Sequence, residues 1–382
     1  MSAVQRRWVV KTGLGAGAML GLGFGVALAA PPAAGRAVVL GQSVPLTGAA
    51  SEIGLAFAAG AKLYVDAYNS RPDIARRLEL RQLDDGYDAA RAEANARKLL
   101  AEGADLLFGF VGTASSSAGA AVAKQQGAVL LAPFAAADSL RDGSHPEVFH
   151  VRPSMADEAF KMVQHCATIG QNRIAVMAED DAMGRAGLAA VQRAVAELKL
   201  PPLVGTAFVP SNSAKVDGAV LQLNALQPQA IIQVSLFNTT ANFIRKMRQA
   251  GYAGAFMNFS VVGIAPLFTA LGKEIGGVVV SQVVPSPRNS ARPIVREYLA
   301  AIENSDQTPT YESLEGFIAA KVAGEAVRRG GAGFSRVGLP HILTAMNGYD
   351  VGGMRLQPQA GVRESAWAIE LVSVTADGRL VR

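Results

Sequence analysis

The chain has 382 residues, 50% of them hydrophobic and 18% charged. That length suits about two domains, and that composition excludes a disordered chain. There are 36 Lys and Arg against 31 Asp and Glu, a formal charge of +5, but Arg6, Arg7 and Lys11 all lie in an acid-free start; without those three the balance is 33 to 31, which excludes a charge-driven nucleic-acid binder.

The first predicted element is a leader, residues 1–29. In "QRRWVVKTGLGAGAMLGLGFGVALAA" a charged start precedes an apolar middle and small residues. Ala27-Leu28-Ala29 fits an A-x-A cleavage site, with Ala30 as the expected first mature residue. Glycines dilute the middle, so it makes a poor permanent membrane helix, and no stable membrane insertion is expected after cleavage. "RRWVVK" (Arg6 to Lys11) resembles the twin-arginine export motif; an ordinary secretory leader is the alternative. Either route ends outside the cytoplasm. No cysteine follows the leader to carry a lipid anchor, and the single cysteine, Cys166, cannot form an internal disulfide. In "FKMVQHCATIG" it reads as a buried helical residue. An exported chain without an anchor points to a periplasm between two membranes.

The mature chain alternates strand and helix patterns. "AVVLGQS" is the first strand, and "LAFAAGAKLYVDAYN" the first helix. "LELRQLDD" is a strand ending in acids, and "AARAEANARKLLAEG" a helix stopped by Gly103. "DLLFGF" and "AVLLAP" are short apolar strands on either side of a helix from Ser115 to Gln126. This rhythm predicts a parallel sheet covered by helices on both faces. It restarts after "VFHVRPS" (Val148 to Ser154): "RIAVMAEDDAMGRAG", "QAIIQVSLFNTTANFIRKMRQAG" and "AFMNFSVVGIAPLFTALG" repeat strand, loop and helix. Helices over 294–304, 314–329 and 337–346 then cover the two units, and "SAWAIELVSV" reads as a last strand.

Ligands on such sheets bind beyond the carboxyl ends of strands, near helix N-termini. "GTASSS" (Gly112 to Ser117) and "PFAAADS" occupy those places after two successive strands. Capping a helix needs one hydroxyl, and here there are four. Thr113, with the backbone N–H groups at the start of its helix, makes an anion cradle suited to a carboxylate or another compact acceptor. Ser115 and Ser116 are weaker candidates, and Ser117 faces solvent. Phe134, Met183 and Phe237 follow strands, where a cleft would be, and read as pocket lining. No Walker A sequence and no nucleophile elbow is present. His145 and His150 flank Pro146 at a spacing unsuited to a metal pair, so no metal, cofactor or catalytic group is expected. Asp84 and Asp85 end a strand, and Asp84 reads as structural. Asp180 and Asp181 stay open, and Tyr311 and Glu315 in "TYESLEG" are further cleft-side candidates.

The chain resembles the branched-chain amino acid (Leu/Ile/Val) binding proteins of ABC transporters, the type I periplasmic solute-binding proteins. The resemblance runs from about Ala37 to the C-terminus. It is carried by "VVLGQSVPLTGAASEIG", "LDDGYDAARAEANARKLL", "LFGFVGTASSSAGAAVAKQQGAVLLAPFAAA", "IAVMAEDDAMGRAGLAAV" and "FIRKMRQAGYAGAFMN". It implies an α/β fold of two Rossmann-like lobes joined by three crossovers, closing on a small ligand. The expected lobes are 37–152 plus 284–364 and 153–283 plus 365–382, with crossings near Arg152, Val283 and Glu364.

Family binding positions fall on Thr113, flanked by Gly112 and Ala114, for the ligand carboxylate. They fall on Phe134, Ala135 and Ala136 after the next strand, on Ile53 near the first loop, and on Met183, Leu236 and Phe237 in the second lobe. The acid that meets a ligand ammonium falls on Ser260. Ala136 lacks the family's threonine hydroxyl and Ser260 lacks its acid, so the resemblance keeps the carboxylate end and not the ammonium end. The implied function is capture of a small carboxylate-bearing ligand, an amino acid or an apolar or aromatic acid. Delivery would be to ABC transporter permease subunits; the alternative is a sensor presenting its closed form to a receptor.

Overall fold

The computed structural model describes residues 35–303, 305–356 and 369–381. The leader, the Ala30 start and the crossing near Glu364 lie outside them.

β1 (Val38–Val44) is buried along its whole length, as a strand covered on both faces must be. It pairs in parallel with β2 (Leu78–Asp84) on one side and β3 (Leu106–Phe108) on the other. With β4 (Leu130–Leu131) and β5 (Val148–Phe149) the first sheet runs β2-β1-β3-β4-β5. The helices α1 (Ser51–Asn69), α2 (Ala89–Ala101) and α3 (Thr113–Gln125) connect its first four strands. α3 begins two residues before the expected Ser115, because Gly112 already serves as its N-cap.

The second sheet has β6 (Ile174–Glu179), β7 (Gly205–Val209), β8 (Ala230–Val234), β9 (Ala255–Asn258) and β10 (Val278–Gln282). α4 (Met155–Thr168) leads into it, and α5 (Ala182–Glu197), α6 (Asp217–Ala225), α7 (Phe237–Gln249) and α8 (Ile264–Leu271) connect its strands. α9 (Pro293–Ile302), α10 (Tyr311–Gly330) and α11 (Leu339–Thr344) follow. Next come a hairpin of β11 (Tyr349–Asp350) and β12 (Arg355–Leu356), then β13 (Glu370–Val374) and β14 (Leu380–Val381). The second sheet runs β14-β13-β10-β9-β8-β6-β7. It is not wholly parallel: β13 pairs antiparallel with β10, and β14 antiparallel with β13. The turn residues between Val374 and Leu380 make a hairpin, which cannot join parallel strands.

α10 packs back on α1 of the first unit. The two helices touch at glycines: a Cβ on Gly60 would stand 1.8 Å from the Ser313 carbonyl oxygen, and one on Gly316 2.0 Å from that of Phe57. Any larger residue there would drive the backbones apart. α10 is buried over most of its length and carries Glu312 and Glu315 into the interior at its first turns.

Both sheets reverse direction once. In the first, the chain passes from β1 to β2 on one side and then to β3 on the other. In the second, it passes from β6 to β7 and then to β8. Such reversals leave a crevice beyond the carboxyl ends of the flanking strands, where no connection covers the sheet.

Candidate functional site

A cavity lies at both reversals. Ala50 and Ile53, after β1, and Val111, Gly112 and Thr113, after β3, line it from the first sheet. Met183, after β6, and Leu236, after β8, line it from the second. Tyr87, the stretch from Phe134 to Ala136, Met155 and Val261 complete the wall. The space that admits the centre of a water molecule is only about 10 Å³, roughly one water. Any organic acid must therefore enter while the walls stand further apart.

The expected residues Ile53, Gly112, Thr113, Phe134, Ala135, Ala136, Met183 and Leu236 are thus brought together. Phe237, Ser260 and Ala114 are not among the lining residues. Phe237 opens α7 and packs into the core. Ala114 is exposed on α3. Ser260 is buried but turned to a different neighbourhood, described below. Tyr311 lines a separate groove with Ile264 and Phe268.

Thr113 is 5% exposed, and its hydroxyl has no hydrogen-bond partner among the described residues. Nor does an acceptor among the described residues meet the N–H groups of Thr113, Ala114 and Ser115, since the first turn of a helix has none of its own. Capping is not Thr113's task, because Gly112 is the N-cap and offers no side chain. Ser116 is committed to the Phe110 carbonyl, 3.2 Å away. Thr113 lines the cavity at the N-terminus of α3, and among the described residues no charged side chain lines it. That arrangement favours an acceptor with an apolar body.

The acids resolve into structural roles. Asp84 accepts from Leu46 N–H at 2.9 Å and from the Thr47 hydroxyl at 2.7 Å, fixing the loop after β1. Asp85, fully buried, accepts from Ser43 at 2.8 Å. Asp180 pairs with Arg185 at the surface. Asp181 caps α5 through Gly184 N–H at 2.8 Å and accepts from Ser211 at 2.8 Å. Neither Asp180 nor Asp181 is placed to receive a ligand ammonium in the cavity.

Sequence reasoning missed the group behind Phe134. Arg152 is fully buried, with its guanidinium carbon 4.4 Å from the Phe134 ring centroid. Its Nη2 donates to Ser260 Oγ and lies 3.6 Å from Glu158, while Nη1 lies 3.4 Å from Glu315. Glu158 accepts from Ser260 N–H at 2.8 Å, from the Ser260 hydroxyl at 3.1 Å and from Ser281 at 2.5 Å. Burial pushes the Glu315 carboxyl up to about 7, with Arg152 opposing the rise. Burial also raises Glu312. At the position expected for an ammonium-binding acid, this chain places Ser260, bound into an ion cluster. The one available signal was an arginine in the apolar stretch that follows β5, a position that needs buried acids to balance it.

Residues 37–369 match the family model described as periplasmic binding protein. A relative named Leu/Ile/Val-binding protein homolog 8, from Brucella abortus (strain 2308), is 25% identical over 334 residues, covering 82% of this chain and 82% of the relative. The crystal structure of a substrate-binding periplasmic protein from Ralstonia solanacearum is 29% identical with a TM-score of 0.80, covering 90% of this chain and 99% of that one. A structure titled "a possible leucine/isoleucine/valine-binding protein", from Rhodopirellula baltica SH 1, is 26% identical with a TM-score of 0.83, covering 93% of this chain and 98% of that one. Two facing α/β sheets with a cavity at both reversals agree with the match over residues 37–369, and the chain belongs to the periplasmic binding proteins.

Proposed function

We propose that this protein captures a small carboxylate-bearing ligand with an apolar or aromatic body and hands it to the permease subunits of an ABC transporter. The observation that carries this reading is the cavity wall: one unpartnered buried hydroxyl, Thr113, at a helix N-terminus, and otherwise apolar or aromatic side chains with no acid. The carboxylate sits at Thr113 and the first N–H groups of α3. The body lies against Ile53, Phe134, Met155, Met183 and Leu236. Burial of that body on closure supplies the affinity, at roughly 25 cal/mol per Å² of apolar surface.

The named relatives support a solute-binding role, and Leu, Ile and Val appear in two of their names. An α-ammonium would need an acid or several acceptors, because an unpaired buried charge is costly. Glu158 has both oxygens engaged, and Ser260 is bound to it. The ligand therefore has no obligatory ammonium. In this reading the lobes are 37–152 plus 284–364 and 153–283 plus 365–382, hinged near Arg152 and Val283. The leader directs the chain to the periplasm, and no reaction is catalysed.

Calorimetry tests the ligand class by comparing leucine and phenylalanine with their des-amino acids, 4-methylpentanoate and 3-phenylpropanoate. At least one des-amino acid is expected to bind no more weakly than its parent. Amino acids bound more than about tenfold tighter, about 1.4 kcal/mol, would reveal an ammonium site and overturn the reading.

A further inference from the structure

Tyr87 stands in the loop between β2 and α2, and no family position called attention to it. Three observations single it out. Its φ is +67°, a left-handed conformation uncommon for a bulky side chain and frequent at ligand clamps. That conformation is locked from below: Tyr87 N–H donates to Asp85 Oδ1 at 2.9 Å, and Asp85 is itself held by Ser43. The ring then lies over Gly112, where a Cβ would meet Tyr87 Cε2 at 2.4 Å and the phenol oxygen at 3.1 Å. Gly112 is the N-cap of α3 and has no side chain, so the phenol oxygen lies beside the place where a capping side chain would begin. Yet among the described residues no hydrogen bond to that oxygen is formed, and Tyr87 lines the cavity next to Thr113.

We propose that Tyr87 is the second hydroxyl of the site, so that its phenol and the Thr113 hydroxyl together hold the two oxygens of a ligand carboxylate. This rests on the reading of the cavity given above. It explains why a tyrosine is kept in a strained backbone state and why residue 112 must be glycine. The helix N-terminus does not carry the assignment alone, because the buried Thr113 hydroxyl is also unpartnered and lines the same cavity. A latch between the two sheets is the competing use of the phenol, since Asp181 and Glu179 of the second unit act on it electrostatically. Both are already engaged. Glu179 accepts from Asn212 N–H at 2.9 Å and from Thr239 at 2.5 Å, and Asp181 accepts from Gly184 and Ser211.

The test is titration of the full chain and of Tyr87→Phe with leucine, phenylalanine, 4-methylpentanoate and 3-phenylpropanoate, with melting curves run alongside. Tyr87→Phe keeps the ring over Gly112, so its unliganded melting temperature should match the wild type. Its affinity for whichever acid the wild type binds should fall about tenfold or more, as loss of a hydrogen bond to a charged group requires. If an acid binds and Tyr87→Phe holds it within about twofold, the assignment is overturned while the carboxylate reading stands. Should Asp181→Asn reproduce the loss, the phenol is a latch and the assignment is likewise overturned. If none of the four compounds binds the wild type at millimolar concentration, the reading of the cavity fails and the assignment fails with it.

Discussion

The two polar regions beside the cavity are built in opposite ways. At the α3 end, donors stand unpaired: Thr113 and Tyr87 line the cavity, and the first N–H groups of α3 meet no acceptor among the described residues. At the Arg152 end, charges are packed together. Glu158 is bound by Ser260 and Ser281, and Arg152 lies against Glu158, Glu315 and Phe134. Arg152 is balanced by two acids, although its Nε and Nη1 make no hydrogen bond among the described residues, whereas the donors at the α3 end have neither a charge partner nor an acceptor. The first region is therefore the one suited to a ligand, and the second ties the pocket wall to the elements that join the sheets.

The largest effect should come from breaking the second region. Arg152→Met leaves Glu158 and Glu315 buried without their cation and should cost about 3–5 kcal/mol in chemical denaturation at pH 8. A loss below about 1 kcal/mol would mean that the cluster is not structural.

A smaller effect sharpens the same contrast through pH. Glu315 is raised from the usual 4.5 to about 7, chiefly by burial. Between those values the folded chain holds a proton that the unfolded chain has lost, so this group's contribution to stability falls as pH rises through the window, and its full penalty is present above about 7. Glu315→Gln should remove that penalty. The stability of the variant relative to wild type should climb from pH 5 to pH 8, by at most roughly 3 kcal/mol. His150, which burial holds well below its usual value, gives an opposite slope below about 6.5, but it is common to both proteins and cancels in the difference. A difference flat in pH would show that Glu315 is ionised normally.

Much of the first region was legible in the sequence. The β-α rhythm gives the sheets, and the rule for strand ends gives Gly112, Thr113 and Phe134 to Ala136. Where the lining differs from the expected positions, it does so by one residue. Leu236 lines the cavity while Phe237 packs into the core, and Val261 lines it while Ser260 turns to Glu158. Phe237 opens α7 and Ser260 to Val262 form a 3-10 turn, so neighbouring side chains leave the backbone in different directions and a step of one residue exchanges wall for interior. Tyr87 was not legible because its place over Gly112 depends on a left-handed φ set by Asp85. The cluster around Arg152 was not legible because two of its partners, Glu315 on α10 and Ser260 after β9, lie far off in sequence. The antiparallel β13 was missed because a single strand pattern carries no direction.

The most direct test of the open end is a titration of wild type and Thr113→Val with 3-phenylpropanoate, followed by calorimetry. The isosteric change removes one hydroxyl from the cavity and no hydrogen bond from the unliganded fold. Affinity should fall by roughly 1.5–3 kcal/mol, the range for a hydrogen bond to a charged group, with the melting temperature of the free protein unchanged. Equal affinity in the two proteins would contradict the account, because the carboxylate would then be held somewhere other than the N-terminus of α3.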